Sequence, residues 1–548
     1  MADGGSARPE KTAKATRTRR HGPRGGLLVA GTTSDAGKSV LTAGICRWLV
    51  RQGVSVAPFK AQNMSNNSAV CLDPDTGAAA EIGRAQAMQA AAAGVAPMPL
   101  MNPVLLKPGS DRSSQVVLLG RPFGQVDALG YQELKATLLE HVVGAYDELR
   151  ARFDVVVCEG AGSPTEINLR RGDIANLGLA RARQLPAVVV GDIDRGGVFA
   201  AFHGTVALLE PADQALISGF IINRFRGDPA LLDPALGMIR ELSGRPTLGV
   251  VPYLRDLWLD AEDSLSLDAA GPPEPGAPPP GTEPLTVTVV RLPRVSNFTD
   301  VDALRLEPGV EVSFTTSPRG IAEADLVVVP GTKSTVADLA WLRERGIAAA
   351  LLARQARGGA ILGVCGGYQM LGVEIEDEDG VEGAAGTVPG LGLLPVRTRF
   401  VADKTLARPS GFGFGAAVAT AYEIHHGRVE VLGGAPLFTD ARGQARDGCV
   451  VGAVLGTLWH GALESDDFRA ALLDWLDGRA ARGGDASAGV AASAARARSG
   501  VEFAAAREAQ FDRLADAVDA YVDTAALLRL IDEGPTPGLA ILPPGRDR

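Results

Sequence analysis

LLVAGTTSDAGKS, residues 27–39, joins a short apolar run to a glycine-rich loop that closes on Gly-Lys-Ser. A phosphate-binding loop normally holds four residues between its first glycine and the Gly-Lys-Ser/Thr ending. Here Thr32, Thr33, Ser34, Asp35 and Ala36 make five. The context is nonetheless that of a phosphate loop: an apolar strand precedes it, and a helix-like stretch from Ser39 to Val50 follows. Backbone N–H groups and a helix N-terminus then point at the same anion. In that frame Lys38 neutralises the β- and γ-phosphates and the Ser39 hydroxyl ligates Mg²⁺. A bare glycine turn is the competing reading in a chain with 67 glycines, and the strand–loop–helix register speaks against it.

The same alternation continues outward. Apolar runs at 54–59 (VSVAPF), 154–160 (DVVVCEG), 186–192 (PAVVVGD), 219–223 (GFIIN) and 247–253 (TLGVVPY) alternate with helix-like segments. Near-continuous Val, Ile and Leu predicts strands covered on both faces, hence a parallel sheet in an α/β domain over 25–266. The stretch AAGPPEPGAPPPGTEP (269–284) cannot form a packed core, which predicts a linker over 267–284. A second α/β pattern, 285–478, runs through LTVTVVRL, ADLVVVPG, GAILGVCGG and CVVGAVLGTLWHG. Residues 479–500 are low in complexity. The C-terminal part, 501–548, carries an amphipathic helical pattern at 503–531, for which packing on the second domain is the simplest role. The basic residues 1–24 are expected to be a disordered tail, because LLVAG is too short for a signal peptide.

Composition narrows the function classes. The chain has 548 residues, 46% hydrophobic and 22% charged, too long for one core and balanced like a soluble globular protein. A formal net charge of -10 argues against nucleic acid as a partner. No stretch approaches a membrane span. The five cysteines include no CxxC pair, which fits a reducing compartment and a cytoplasmic protein. Oligomeric state is open at this level.

Beyond the carboxyl ends of parallel strands, polar residues are candidates for ligand contact. Glu159, ending VVVCEG, is placed to hold Mg²⁺ directly or through water, against the plainer role of pairing with an arginine. Asp192 and Asp194 in VVVGDIDRGG are further metal or substrate contacts. Lys60, after the second strand, reaches a transferring phosphoryl group unless it is only a surface lysine.

The second half carries another constellation. GVCGGYQ (363–369) follows a strand and precedes a helix-like run, as in a nucleophile elbow. A helix N-terminus favours the thiolate of Cys365. The amide of Gly366 and the PGTKST turn, through Gly331, are candidates for an oxyanion hole. Cys46, Cys71, Cys158 and Cys449 read as small buried hydrophobes. Of the six histidines, His460 in GTLWHG ends a strand and is the best base for the thiol. His425 and His426 in YEIHHG are weaker candidates, and His141 and His203 lack a motif. A protease, an acyl transferase and an amidase all fit a Cys–His pair.

The five-residue spacing of GTTSDAGKS resembles the loop of the dethiobiotin synthetase group. PFKAQNMSNNS, EIGRAQAMQA, MNPVLLKPGSDRSSQVVLLGR, EGAGSPTEINL, DIDRGGVFA, GFIINRFRGD, RLPRVSNFTDVDAL, PGTKSTVADLAWLRERG, GVCGGYQMLG, YEIHHG and GTLWHG resemble the cobyric acid synthase family, across about residues 25–475. The resemblance implies a P-loop synthetase domain followed by a class I-like glutamine amidotransferase domain. It implies ATP and Mg²⁺, glutamine as ammonia donor, and amidation of the b, d, e and g carboxylates of the corrinoid adenosylcobyrinic acid a,c-diamide. By the same resemblance Cys365 is the nucleophile and His460 its base. Gly31, Thr32, Asp35, Gly37, Lys38, Ser39 and Asn223 fall at the nucleotide. Gly461 and Ala462 follow His460, where better-known class I amidotransferases carry proline and glutamate, so a triad through Glu464 is not expected. The nearest rivals are a cobyrinic acid a,c-diamide synthase and a non-catalytic ATP switch with a degenerate amidotransferase domain.

Overall fold

The computed structural model describes residues 22–109, 113–260, 284–383, 385–483 and 501–543. The expected basic tail through residue 21, the linker through 283 and the low-complexity segment from 484 lie outside the described residues.

The first apolar runs become six parallel strands: β1 (Gly25–Gly31), β2 (Val56–Phe59), β3 (Val155–Glu159), β4 (Ala187–Asp192), β5 (Ile217–Phe225) and β6 (Thr247–Pro252). Their spatial order is β6-β5-β4-β1-β3-β2. Every residue of β3 and β4 is buried, as expected of valine-rich strands covered by helices on both faces. Those helices include α1 (Lys38–Arg51), α2 (Arg84–Ala92) and α3 (Ala128–Arg152). From β1 the chain crosses first to β2 on one side, and β4 later lies on the other. The carboxyl ends of β1, β3 and β4 therefore frame the crevice where such sheets bind ligands.

The second sheet contains β7 (Leu285–Val290), β8 (Val310–Thr315), β9 (Leu326–Val329), β10 (Ala360–Val364), β11 (Cys449–Val451) and β12 (Val454–Thr457). The order is β8-β7-β9-β10-β12-β11, parallel except for β11 against β12. The run at 449–461, which reads as one strand, folds back at Gly452, whose φ of 60° suits glycine. The short helix α4 (Gly366–Leu371) follows β10.

Two antiparallel additions carry no clear apolar pattern and are not expected from the sequence. Val104–Pro108, Ser113–Leu118 and Arg121–Asp127 form one ladder, and Val396–Ala407 pairs with Glu423–Val431 in the other half. Residues near both additions bury polar groups between the halves. Asn67 and Asn297 exchange bonds: the Ser68 amide donates to Asn297 Oδ1 (2.9 Å), and the Asn297 amide donates to Asn67 Oδ1 (2.7 Å). Arg84, at the start of α2, pairs with Asp260 at 2.8 Å and with Glu464.

The C-terminal helices correct an expectation. α5 (Phe503–Tyr521) and α6 (Thr524–Glu533) pack mainly on the first sheet's helix layer; only the start of α5 meets the second half, where Phe503 packs with Ala303 and Arg507 pairs with Glu464 at 3.6 Å. Their periodicity told that one face is buried but not against what. Leu514 and Val518 of α5 lie where a Cβ on Gly44 of α1 would be 3.1 Å from each residue's nearest atom, so glycine permits the close approach. Acidic residues on α5 meet the basic end of α1: Arg47 pairs with Asp512 (2.8 Å) and Arg51 with Asp516 (2.6 Å). Leu527 and Ile531 of α6 are buried against β1, at about 1.5–3 kcal/mol for each side chain removed from water.

Candidate active site

At the carboxyl end of β1 the loop turns through Gly37, which has φ 97° and caps α1. A Cβ there would stand 2.0 Å from Asn223 Nδ2. Asn223, on β5, donates that same nitrogen to the Ala36 carbonyl at 3.0 Å and so braces the loop from below. Lys38 Nζ folds over the loop onto the carbonyls of Thr33 and Ser34, both at 2.9 Å. The Thr32 amide continues the sheet ladder by donating to Val190 O (2.9 Å), and Asp35 pairs with Arg195 at 3.0 Å.

Glu159 gathers the remaining residues. It ends β3, is 1% exposed, and accepts from Ser39 Oγ (2.8 Å), Lys60 Nζ (2.9 Å) and Gln89 Nε2. Burial by itself would raise its pKa; the Lys60 charge and the three hydrogen bonds outweigh burial and hold it below the usual carboxylate value. Gln89, on α2, is missing from the sequence expectations, since nothing local marks a glutamine on an alanine-rich helix. A serine hydroxyl and one carboxylate form a hard-oxygen pair. That suits Mg²⁺, which is commonly held by one or two protein oxygens together with phosphates. Among the described residues no group of three or more His, Cys, Asp or Glu could hold a metal ion.

Asp192 and Asp194 are both engaged by arginines. Asp192 Oδ2 accepts from Arg224 (2.8 Å), and its Oδ1 accepts from the Asp194 amide (3.0 Å). Asp194 pairs with Arg226 at 3.3 Å. The carboxylates thereby hold Arg195, Arg224 and Arg226 around the crevice, a cationic rim that the sequence reading does not anticipate.

The second site lies at the carboxyl ends of β9, β10 and β12. Cys365 sits between β10 and α4 with φ 51° and ψ −112°, a strained conformation for a non-glycine residue, costing about 1–3 kcal/mol. Cys365 and His460 line the same cavity, and the charge of the thiol acts on the imidazole. His460 Nδ1 meets Asp300 Oδ2 at 2.7 Å, while Asp300 Oδ1 accepts from the Gly461 amide at 2.8 Å. Burial pulls the His460 pKa down, but the charges of Asp300 and then Cys365 more than offset it and push it up to about 10. Asp300 thus fills the acidic place that the sequence leaves vacant. Glu464 is turned instead to Arg84. His460 also stacks on Tyr422, ring centroids 5.3 Å apart.

Gly331 and Gly366 both border this pair. A Cβ on Gly331 would lie 3.0 Å from His460 Cε1, and one on Gly366 would lie 2.7 Å from Thr332 Cγ2. His425 and His426 line the same cavity with Lys107, Lys333 and Lys404, and burial pushes both histidines down to about 4, so they are neutral. The other four cysteines are buried, and burial pushes their thiols up. His141 is half-buried on α3, and neither it nor His203 lies at either site.

Between the two sites stands a buried charge cluster. Glu81, wholly buried, accepts from Lys107 Nζ (2.6 Å) and from Lys404 Nζ (2.5 Å), and both lysines line the Cys365 cavity.

A nucleotide site in one half and a cysteine–histidine site in the other define a glutamine-dependent amidoligase. Residues 27–267 match the family described as CobQ/CobB/MinD/ParA nucleotide binding domain, and residues 286–468 match the CobB/CobQ-like glutamine amidotransferase domain. The cobyric acid synthases of Streptomyces avermitilis and Streptomyces coelicolor are each 56% identical over 527 residues, covering 95% of this chain and 99% of theirs. That of Mycolicibacterium gilvum is 56% identical over 520 residues, covering 95% of this chain and 99% of its own. The chain belongs to the cobyric acid synthase family. Among the described residues no helix is long and apolar enough to cross a membrane.

Proposed function

We propose that the chain uses ATP and glutamine to amidate the b, d, e and g carboxylates of adenosylcobyrinic acid a,c-diamide. Residues 25–266 are the synthetase part and 285–478 the amidotransferase part. The observation that carries the reading is the presence, in one chain of this family, of the Ser39–Lys60–Glu159 cluster and the Cys365–His460–Asp300 cluster.

In the synthetase part, Gly31, Thr32, Asp35, Gly37, Lys38 and Ser39 receive the nucleotide phosphates, with Asn223 bracing the loop. Ser39 and Glu159 would hold Mg²⁺, which would supply positive charge against the phosphates. A substrate carboxylate oxygen attacks the γ-phosphorus and the bond to ADP breaks, leaving an acyl phosphate. Lys60 and the arginines held by Asp192 and Asp194 balance the charge that develops on the transferred group. Ammonia then attacks the acyl carbon, phosphate leaves, and the amide sheds a proton.

In the amidotransferase part, the Cys365 sulfur attacks the side-chain amide carbon of glutamine. The amides of Gly366 and Gly331 stabilise the oxyanion, and imidazolium His460 donates a proton to the departing ammonia. Water, deprotonated by His460, hydrolyses the thioester. Asp300 is a positioning residue: it fixes the ring and favours its protonated form.

Ammonia is mostly ammonium in neutral water, so internal transfer conserves the reactive species. The Glu81 cluster supports such a path. It borders the Cys365 cavity, and the chain leads from it into α2, whose Gln89 touches Glu159. Nine residues of helix span roughly 14 Å. Along this stretch Asn63 Oδ1, Gln86 Nε2 and Gln89 Oε1 are buried without a hydrogen-bond partner, able to meet a small polar passenger. Labelled external ammonium should enter the product poorly during glutamine turnover; equal labelling would contradict transfer within the protein.

A further inference from the structure

Next to the Glu159 cluster lies a second cleft, of about 100 Å³, lined by Gln62, Lys135, Ala161, Ser163, Glu166 and Asn176. Gln62 is two residues beyond Lys60, and Ala161 two beyond Glu159, so the cleft opens beside the groups that handle phosphoryl transfer. Asn176 fixes its wall: its Nδ2 donates to the Ala161 carbonyl at 2.7 Å. The cleft takes one side arm of a large substrate, not a macrocycle.

Its distinctive residue is Lys135, on α3. The residue is 8% exposed, yet among the described residues its Nζ has no hydrogen-bond acceptor and no ion-pair partner. It lies 5.6 Å from the centroid of Tyr131, whose hydroxyl donates to Gln62 Oε1. The other charges facing the cleft are committed or screened. Arg170 is held by both oxygens of Asp213, at 2.6 Å each. Asp173 accepts from the amides of Ala175 and Asn176 (2.9 Å each) and of Gly178 (3.1 Å). Glu166 is exposed to solvent. Burial holds the Lys135 pKa below its ordinary value, and the charge of Asp173, which stands beyond ion-pair distance, offsets that only in part. A fold that keeps it at the mouth of a reaction site has an anion to receive there.

We infer that this cleft is a substrate subsite in which Lys135 binds a peripheral carboxylate of the corrinoid. This deepens the functional reading above and rests on it. A multiply carboxylated ring held by one free acid presents a neighbouring acid to Lys60 and Glu159. The chemistry recognised is carboxylate; a nucleotide phosphate is the alternative anion, and the assay separates the two.

The test measures steady-state amidation of adenosylcobyrinic acid a,c-diamide by wild type, Lys135→Met and Lys135→Arg. Loss of one charge-assisted contact predicts a corrinoid KM raised roughly ten- to a hundredfold in Lys135→Met, with most of the loss recovered in Lys135→Arg and the KM for ATP within twofold. A corrinoid KM within twofold of wild type, or an ATP KM that rises in parallel, overturns the assignment. In wild-type protein, binding of the same corrinoid should weaken when its free carboxylates are methyl-esterified; unchanged binding also overturns it, independently of how the variants fold. Should the wild type fail to amidate the corrinoid at all, the functional reading falls rather than this subsite.

Discussion

Replacing Asp300 by Asn keeps the shape of the His460 contact and removes its charge. Raising an imidazole from 6.5 to about 10 corresponds to roughly 5 kcal/mol in favour of the imidazolium, shared between Asp300 and Cys365, with Asp300 the larger contributor. The hydrogen-bond pattern makes the substitution worse than loss of charge. The Gly461 amide donates to Asp300 Oδ1 at 2.8 Å, so the Asn oxygen stays there and its NH₂ group faces His460 Nδ1. That holds the ring in the tautomer that cannot take a proton from Cys365. Glutamine hydrolysis should fall about 10²- to 10⁴-fold, the scale of a wrong tautomer in a comparable triad. The assay is glutamate release with corrinoid and ATP present, alongside synthesis from high ammonium as a check on the other site. Glutaminase turnover within twofold of wild type would refute the role given to Asp300.

The same pair carries a pH signature. The folded pKa of His460 lies above its unfolded value of 6.5, so its contribution to stability is complete below 6.5 and is lost as pH rises through about 10. The difference in Tm between wild type and Asp300→Asn should therefore shrink from pH 6 to pH 10; a constant difference would contradict it. Cys365→Ser should abolish synthesis from glutamine while sparing synthesis from high ammonium, measured as corrinoid amides by mass. Lys60→Met should depress synthesis from either nitrogen source at least about 10²-fold and destabilise the fold by about 3–5 kcal/mol, because Glu159 is left buried without its cation. Both are read by product formation and by denaturant titration. Glu81→Gln should loosen the junction with Lys107 and Lys404, raising glutamate released per amide formed above the wild-type ratio.

What the sequence revealed follows the range of the contacts. The loop at 31–39 is contiguous, so its glycines, lysine and serine could be read together, and Glu159 followed from being the last residue of a valine strand. Cys365 stood out because glycines flank it on a strand-to-helix turn. Asp300 did not, since 160 residues separate it from His460 and only the second sheet brings the ends of the chain segments together. Glu81 and Lys404 are 323 residues apart, and their meeting depends on how the two halves dock. The C-terminal helices show the same limit: their spacing defines an apolar face, whereas the partner, α1, was marked only by Arg47 and Arg51 answering an acidic stripe.

The central claim is that both sites act on one substrate, ATP readying its acids for nitrogen taken from glutamine. Purified protein should be incubated with adenosylcobyrinic acid a,c-diamide, ATP, Mg²⁺ and glutamine labelled with ¹⁵N in the side-chain amide, and the corrinoid product analysed by mass. The account predicts a product carrying four labelled amides, formed only when ATP is present. An unchanged corrinoid, or labelled amides formed without ATP, would contradict it.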